Sequence, residues 1–324
     1  MIWTKKLELK NNIKEPLILL HMDIGGQAVI EGVMMRSPHF YSVAVRKEDG
    51  KIDLKTERFI SVSERFPLLK KPFLRGIVSM YEMLRLGIGA LIHSGNVSEA
   101  KEDSISGSAV VGTVVFSFVF AIGLFLALPY ALTLLIGISE EESTVLFNLV
   151  DGLIKAGLLI AYIWLISLWD DVARVFQYHG AEHKTVNAYE SGKPLTARSA
   201  KGFSTAHSRC GTSFIVIVFL TMLILFSFVP SIAQASLPME RLNFLGQKAV
   251  LLAARFLFIL PVVSVSYEIL KLTDRRKENP LVKTLMWPGL AVQRLSTKEP
   301  DDKQLDVAVS AIKAVLSKEK SYPK

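Results

Sequence analysis

Cysteine is almost absent from the sequence, which contains one, Cys210, among 324 residues. A single cysteine excludes an internal disulfide, and it suits a reducing compartment in which the thiol is free or binds a metal. Residues 1–14 are polar and charged and contain no apolar segment of the kind that directs secretion. Internal repeats and low-complexity segments are also lacking, which excludes a repeat architecture.

A phosphate-binding loop is missing too, although residues 24–36 are rich in glycine. No Gly-Lys-Ser/Thr sequence follows these glycines. Two interpretations of the stretch stay open. It is either a strand or turn packed on the core, where glycine permits close approach to another group, or a segment whose side chains line a functional site. The candidate lining residues are Gln27, Glu31 and Arg36.

The first third of the chain is predicted to be a small β-containing unit. After a loosely ordered leader, residues 1–23, the unit covers residues 24–107. Alternating residues at 42–46 and 52–54 flank a turn signal and predict a β-hairpin. From Pro72 to about Ser98, apolar residues recur every three or four positions, which predicts an amphipathic helix on the membrane or on a helical bundle.

Half of all residues are hydrophobic, and the middle of the chain contains four long apolar runs. Each run is close to or above the roughly 20 residues that span a bilayer. The four predicted transmembrane helices, all within residues 108–272, cover 109–136, 145–169, 212–229 and 249–270. Together these features predict a mainly α integral membrane protein with four transmembrane helices.

Lysine and arginine alternate between the connecting segments. Residues 1–107, 170–211 and 271–324 contain sixteen, six and twelve of them, whereas 137–144 contains none and 230–247 contains one. By the positive-inside rule, both termini and the 170–211 loop are cytoplasmic, in a multi-pass protein of the inner (plasma) membrane. This topology accounts for the net charge of +8, so no nucleic-acid partner is expected. Membrane lipid is the expected partner, with a homo-oligomer or a second membrane protein as further possibilities.

The cytoplasmic tail, residues 273–324, is predicted to contain one helix. Residues 285–290 suggest an interfacial turn with Trp287 at headgroup level. Asp302 is the expected cap of the terminal helix. The apolar stripe that should dock this helix on the cytoplasmic unit consists of Leu305, Val309, Ile312 and Leu316.

Two histidine-containing motifs frame the predicted cytoplasmic loop. His179 and His183 are four residues apart and lie on one face of a helix, which is predicted to continue the second transmembrane run. His207 and Cys210 precede the third run. Imidazole and thiolate are ligands that zinc prefers, so these four residues form a candidate metal site. With Glu182, the first motif also matches the H-x-x-E-H pattern of inverted zinc peptidases.

Four motifs together are similar to those of one known family: GGQAVIEGVMMR (25–36), YHGAEHKT (178–185), HSRCGTSF (207–214) and EPDD (299–302). They resemble the YqhQ family, bacterial membrane proteins with domain of unknown function 1385, over about residues 24–318. The resemblance implies a predicted metal-dependent enzyme whose distinguishing polar residues are His179, Glu182, His183, His207 and Cys210. Ser208 stands where many relatives are expected to have proline.

Three functions remain open at this point. The first is a metal-dependent hydrolase at the cytoplasmic membrane face, in which zinc or another divalent metal lowers the pKa of a bound water to about 7 and Glu182 accepts its proton. A lipid-linked substrate fits this position. Inverted zinc peptidases take their third ligand from a downstream glutamate, for which Glu190 and Glu268 are candidates in unpersuasive contexts.

The second function is a structural clamp. If both histidines of the first motif bind with His207 and Cys210, the shell is closed, and the protein assembles or regulates a larger complex. The third is transport, suggested by Lys155, Arg255 and Glu268 in or near the spanning segments. Against transport, Lys155 and Glu268 are expected to reach the headgroups from helix ends.

Overall fold

A computed structural model describes residues 22–98, 107–139, 143–276 and 278–322. The chain is mainly helical, with a small antiparallel sheet near its N-terminus. Most of the predicted leader lies outside the described residues. The helices of the described part are α1 (Val62–Arg65), α2 (Leu74–Ser98), α3 (Gly107–Ile122), α4 (Leu128–Leu135), α5 (Thr144–Ile166), α6 (Asp170–Glu190), α7 (Ala197–Lys201), α8 (Gly211–Phe226), α9 (Val229–Ser236), α10 (Phe244–Arg275), α11 (Pro280–Ser296) and α12 (Asp302–Lys320).

The sheet is a four-stranded meander in which each strand pairs with its neighbour in the chain. Its strands are β1 (Gly25–Val29), β2 (Gly32–Arg36), β3 (Phe40–Arg46) and β4 (Ile52–Arg58). The predicted hairpin is β3–β4, and the glycine-rich stretch forms a second hairpin, β1–β2. Two residues connect β1 to β2, and the second of them, Glu31, has a φ of 51°.

Among the residues that the structure describes, three helices are long and apolar enough to cross a membrane. They cover Val111–Leu135, Val145–Ile166 and Gly246–Arg275. A fourth span results if α8 and α9, which are bent by 42° at a short break, count as one. These segments match the four predicted runs, and they are compatible with a membrane protein.

Proline explains where two of these spans deviate from a regular helix. Before Pro129, the helix α3 passes through a π-helical turn, Gly123–Ala127, into α4. Pro230 lies in the first turn of α9, just after the break that ends α8. A proline has no N–H to donate within a helix, so the backbone adjusts in the turn before it.

The second run does not continue into the histidine motif, contrary to the prediction. Helix α5 ends at Ile166, and Trp169 adopts an extended conformation with ψ of 132° before α6 begins. This break separates the apolar helix from the helix that carries His179 and His183. Because of this break, α6 does not have to continue in the direction of α5, and His179 and His183 can lie close to Cys210.

Helix α12 packs on the sheet and on α6 to form the main core outside the apolar helices. The four residues of its predicted stripe are all buried. The Ser42 hydroxyl of β3 donates to the Ala311 carbonyl at 2.7 Å, which fixes the helix on the sheet. The cap is Asp301 and not Asp302, because Asp301 and Gln304 form a reciprocal capping box.

Two further helices connect this core to the apolar helices. Near its start, α2 packs on the end of α10, where a Cβ at Gly76 would lie 2.8 Å from the Cβ of Tyr267. Residues 285–290 are part of helix α11 and not of a turn, although Pro288 lies within it. Gly289 fits closely against Ser213 of α8, so α11 packs tightly on that helix. The side chain of Trp287 is exposed.

Candidate metal centre

Helix α6 presents His179 and His183 on one face, as their spacing predicts. Their ring centroids are 4.4 Å apart. The start of α8 brings Cys210 to the same point, so that one ligand atom from each of these three residues lies within 4.8 Å of the others. His183 and Cys210 are buried and His179 is half-buried. This group could hold a metal ion.

Backbone carbonyls orient both imidazoles. The Nδ1–H of His179 donates to the Ser296 carbonyl at 2.9 Å, and the Nδ1–H of His183 donates to the Thr205 carbonyl at 2.5 Å. Each hydrogen bond fixes the proton on Nδ1 and leaves the lone pair of Nε2 available. Metal-binding histidines in proteins are usually held in this way by their second nitrogen.

The sulfur of Cys210 lies 3.2 Å from Nε2 of His179. A tetrahedral zinc ion with bonds of about 2.3 Å to sulfur and about 2.1 Å to nitrogen separates these atoms by about 3.6 Å. The observed spacing therefore needs only a small adjustment. Cys210 is the N-cap of α8, and its sulfur accepts from the Thr212 N–H at 3.5 Å and contacts the Thr212 hydroxyl at 2.9 Å. These contacts hold the sulfur at the first turn of α8, facing the histidines.

Two glycines make the close packing around the histidines possible. A Cβ at Gly180 would lie 2.1 Å from the Lys298 carbonyl oxygen, so only glycine allows the backbone of Lys298 to pass this close to α6 beside His179. In β1, a Cβ at Gly26 would lie 2.4 Å from the Met34 carbonyl oxygen and 3.0 Å from Cγ of Glu182. The predicted close approach at the glycine-rich stretch is therefore an approach to the candidate metal centre.

Glu182 is buried beside the ligands. Its Oε2 lies 3.4 Å from Nε2 of His183, the nitrogen that is free to bind a metal. A buried carboxylate at this distance can accept a proton from, or hydrogen-bond to, a molecule held between the three ligands. This is the position that the H-x-x-E-H pattern predicts for a general base.

His207 lies next to the group but is not one of its three members. Its ring centroid is 5.7 Å from that of His183, and its Nε2 is 3.4 Å from Glu190. Arg209 binds the same carboxylate oxygen of Glu190. The backbone N–H and carbonyl of His207 are both bonded to the buried amide of Gln293, each at 2.9 Å.

The other predicted site-lining residues have partners of their own. The Gln27 amide donates to the Gly87 carbonyl at 3.2 Å. Glu31 pairs with Arg174 and accepts from the Tyr178 hydroxyl at 3.3 Å. Arg36 pairs with a buried glutamate of α2 at 3.1 Å and lies over the Phe59 ring. These contacts support the interpretation of residues 24–36 as packed strands.

Charges in the apolar helices are paired within the protein. Lys155 is buried and forms an ion pair with Asp151 one turn earlier, so it does not reach the headgroups as expected. Arg255 is buried too, 3.4 Å from the amide oxygen of Asn148. Glu268 pairs with Arg75 at the start of α2. Neither Glu268 nor Glu190 belongs to the three-ligand group.

Burial changes the acidity of two tyrosines around the centre. The pKa of Tyr178 is raised, first by burial and then by the negative charge of Glu31. Burial also raises the pKa of Tyr189 to about 12. Both phenols belong to α6 itself and stay neutral at physiological pH.

Sequence reasoning missed the groups that orient the ligands. Ser296 and Thr205 contribute backbone carbonyls, which have no side-chain signal in a sequence. Gln293, whose side chain is fully buried between His207 and Ser213, lies three residues beyond the predicted interfacial turn at 285–290. Its burial depends on tertiary contacts, and no local pattern in the sequence indicates it.

Comparison with known proteins identifies the family. A curated relative from Bacillus subtilis (strain 168), described as "Uncharacterized protein YqhQ", is 34% identical over 317 residues, which cover 90% of this chain and 92% of the relative. No solved structure matches the chain. The family model described as "Protein of unknown function (DUF1385)" matches residues 71–318. The chain therefore belongs to the DUF1385 family.

Proposed function

We propose that this protein is a metal-dependent hydrolase, with zinc as its metal, at the cytoplasmic face of the bacterial plasma membrane. The observation that carries the proposal is the convergence of His179, His183 and Cys210 within 4.8 Å, with both imidazoles held through Nδ1. Two nitrogens and one sulfur match the preference of zinc. A bound zinc ion would supply Lewis acidity and activate water near neutral pH.

The number of converging ligands favours catalysis. Catalytic zinc sites usually combine three protein ligands with one open position, whereas structural sites are closed by four. In the part of the chain that the structure describes, three ligand atoms converge. Glu182, whose Oε2 lies 3.4 Å from Nε2 of His183, would take the proton from the attacking water and return it to the leaving group. His179 and His183 would hold the metal close to the carboxylate of Glu182.

The position at the membrane points to an amphiphilic or lipid-linked substrate. Cys210 immediately precedes α8, a strongly apolar helix, and the exposed Trp169 lies at the end of the preceding span. With cytoplasmic termini, as the distribution of basic residues indicates, the centre lies where α8 enters the bilayer. A substrate with an acyl or polyprenyl chain could stay in the lipid while its polar bond reaches the centre.

A structural clamp is the second candidate, and one observation favours it. The ring of His207 is 5.7 Å from that of His183, so a rotation away from Glu190 would bring a fourth ligand towards the metal. A closed His3Cys shell would tie α6 to α8 without an open position. The pairing of His207 with Glu190, and the use of that glutamate by Arg209, count against this arrangement.

Metal analysis of the detergent-purified protein separates the two candidates. The hydrolase predicts about one metal per chain in wild type, retention in Glu182→Gln and His207→Ala, and loss in His183→Ala and Cys210→Ala. The clamp predicts loss in His207→Ala as well. If wild type reconstituted with zinc, manganese or iron binds none of them, both candidates are wrong. For activity, membrane lipids and lipid-linked precursors are incubated with wild type and Glu182→Gln, and a product formed only by wild type supports hydrolysis.

A further inference from the structure

A surface separate from the metal centre lies between the sheet and helix α2. A cavity of about 480 Å³ opens there between the outer half of β4 and the middle of α2. Its wall includes Tyr41, Lys55, Glu57, Tyr81, Arg85 and Gly89. No atom lies within 4 Å of the position where a Cβ of Gly89 would stand, so the space in front of α2 is open.

The charge at this cavity is positive. Lys55 and Glu57 pair with each other at 2.9 Å, and Glu57 also accepts from the Tyr41 hydroxyl. The buried Glu82 is paired with Arg36 and accepts two further hydrogen bonds from residues 61 and 62. Arg85 is exposed and has no ion-pair or hydrogen-bond partner among the described residues. Its guanidinium is therefore available for an anion, and phosphate is a preferred partner of arginine.

The same helix exposes an apolar stripe next to Arg85. Tyr81, Leu84, Ile88 and Leu91 repeat at helical spacing and are 55%, 52%, 37% and 42% exposed. Before α2, the side chains of Phe66, Leu68 and Phe73 are all more than half exposed. Large apolar side chains on the outside of a helix beside unpaired basic groups are typical of helices that lie in the membrane interface.

The start of α2 is held against the end of α10, a candidate membrane span. Arg75 pairs with Glu268, which also accepts the Phe73 N–H at 3.1 Å. Glu268 lies seven residues before the end of α10, the longest candidate span. Phe73 has a φ of 68°, a conformation that is rare for a bulky residue, and its ring is exposed. The contact with Glu268 thus holds the start of α2 against the last two turns of α10.

We propose that α2 and this cavity form a binding site for the phosphate headgroup of an anionic phospholipid, with the acyl chains lying along the apolar stripe. Arg85 binds the phosphate, while Tyr81 offers a hydroxyl at the wall of the cavity. A zwitterionic lipid lacks the net negative charge that the uncompensated guanidinium selects. The proposal requires the chain to be in a membrane but does not depend on metal binding or hydrolysis.

The test measures thermal unfolding of the full-length protein in a neutral detergent during titration with short-chain phosphatidylglycerol. We expect a rise in Tm of at least about 3 °C for wild type at saturation. The rise should disappear in Arg85→Gln and in Gly89→Leu, which fills the cavity without disfavouring the helix. Arg198→Gln removes an exposed arginine from α7 and should respond like wild type.

The source of the phosphate and the specificity of the site are tested in parallel titrations. An equal rise with phosphatidylcholine would overturn the selection for anionic lipid. An equal rise with glycerol phosphate would assign the cavity to a soluble phosphate ester and overturn the lipid assignment. An undiminished rise in Arg85→Gln would overturn the site itself. The metal content of Arg85→Gln should equal that of wild type, so failure here is distinguishable from failure of the proposed hydrolase.

Discussion

The sulfur of Cys210 lies 3.2 Å from Nε2 of His179, although 31 residues separate them in the chain. The contact joins the start of an apolar helix to a helix that belongs to the core beneath the sheet. It depends on a break after α5 and on a carbonyl from the end of α11 that orients the imidazole. Three separate parts of the chain therefore converge on one pair of ligand atoms.

Removal of metal should destabilise the wild-type protein. Because a ligand that binds only the folded state stabilises it by mass action, a strong chelator should lower Tm by several degrees. The measurement is thermal unfolding in detergent with and without the chelator. His183→Ala, which lacks a ligand, should start at the lower Tm and show no further change. An equal chelator effect in that variant would contradict the assignment of His183.

Substitution of Gly180 by alanine should disrupt the candidate metal centre from the side on which Lys298 contacts α6. The new Cβ would lie 2.1 Å from the Lys298 carbonyl oxygen, so helix α6 and the segment before α12 must separate. Overpacking of this kind costs about 1–3 kcal/mol. The Tm and the metal content should both be lower in Gly180→Ala than in wild type.

The control for this prediction is Gly202→Ala, where the nearest atom would be 3.8 Å from the new Cβ. That variant should keep the stability and metal content of wild type. If both variants behave alike, the close approach at Gly180 is not what maintains the centre.

The N-cap of α12 can be identified by substituting two adjacent aspartates, Asp301 and Asp302, one at a time. Asp301→Ala removes the side chain that accepts from the Gln304 N–H at 2.7 Å, and should cost about 1 kcal/mol of stability. Asp302→Ala removes only an exposed pair with Lys201 and should change stability little. Thermal unfolding of the two variants decides between the observed cap and the one expected from the sequence. A larger loss in Asp302→Ala would contradict the capping box.

Removing only one partner of the ion pair inside α5 should cost more stability than removing both partners. Lys155→Met leaves Asp151 buried without its partner, which should cost about 3–5 kcal/mol. The double variant Asp151→Asn with Lys155→Met has no uncompensated charge and should recover most of the loss. The measurement is thermal unfolding of both variants in the same detergent. If the double variant is no more stable than Lys155→Met, the pair is not the source of the effect.

The sequence was sufficient to predict the elements that have strong periodic or apolar patterns. The hairpin around residues 48–51, helix α2, the apolar runs and the buried stripe of α12 all follow from local spacing. The histidine pair was also predictable, because a separation of four residues puts two side chains on one face of a helix. The convergence with Cys210 was part of the prediction, although the route of the chain between them was not.

The features of the fold and of the candidate site that the sequence did not predict depend on interactions between distant residues. The extended conformation of Trp169 that separates α5 from α6 has no proline or glycine to announce it. The choice between His207 and Cys210 was decided by a competing partner, since Glu190 takes the imidazole of His207. The burial of Lys155 likewise depended on Asp151 and on neighbouring helices. Such choices depend on tertiary contacts that no local pattern records.

The N-cap position of Cys210 links the candidate metal centre directly to the apolar helix α8. Any axial displacement of α8 moves the sulfur directly, while the histidines stay with α6 and the sheet. A shift of about 1 Å is a large fraction of a metal–ligand bond of about 2.3 Å. A movement of α8 along its axis would therefore change the distance between the sulfur and the two imidazoles before it disturbed the core around α12, so the geometry of the centre is set by the position of an apolar helix.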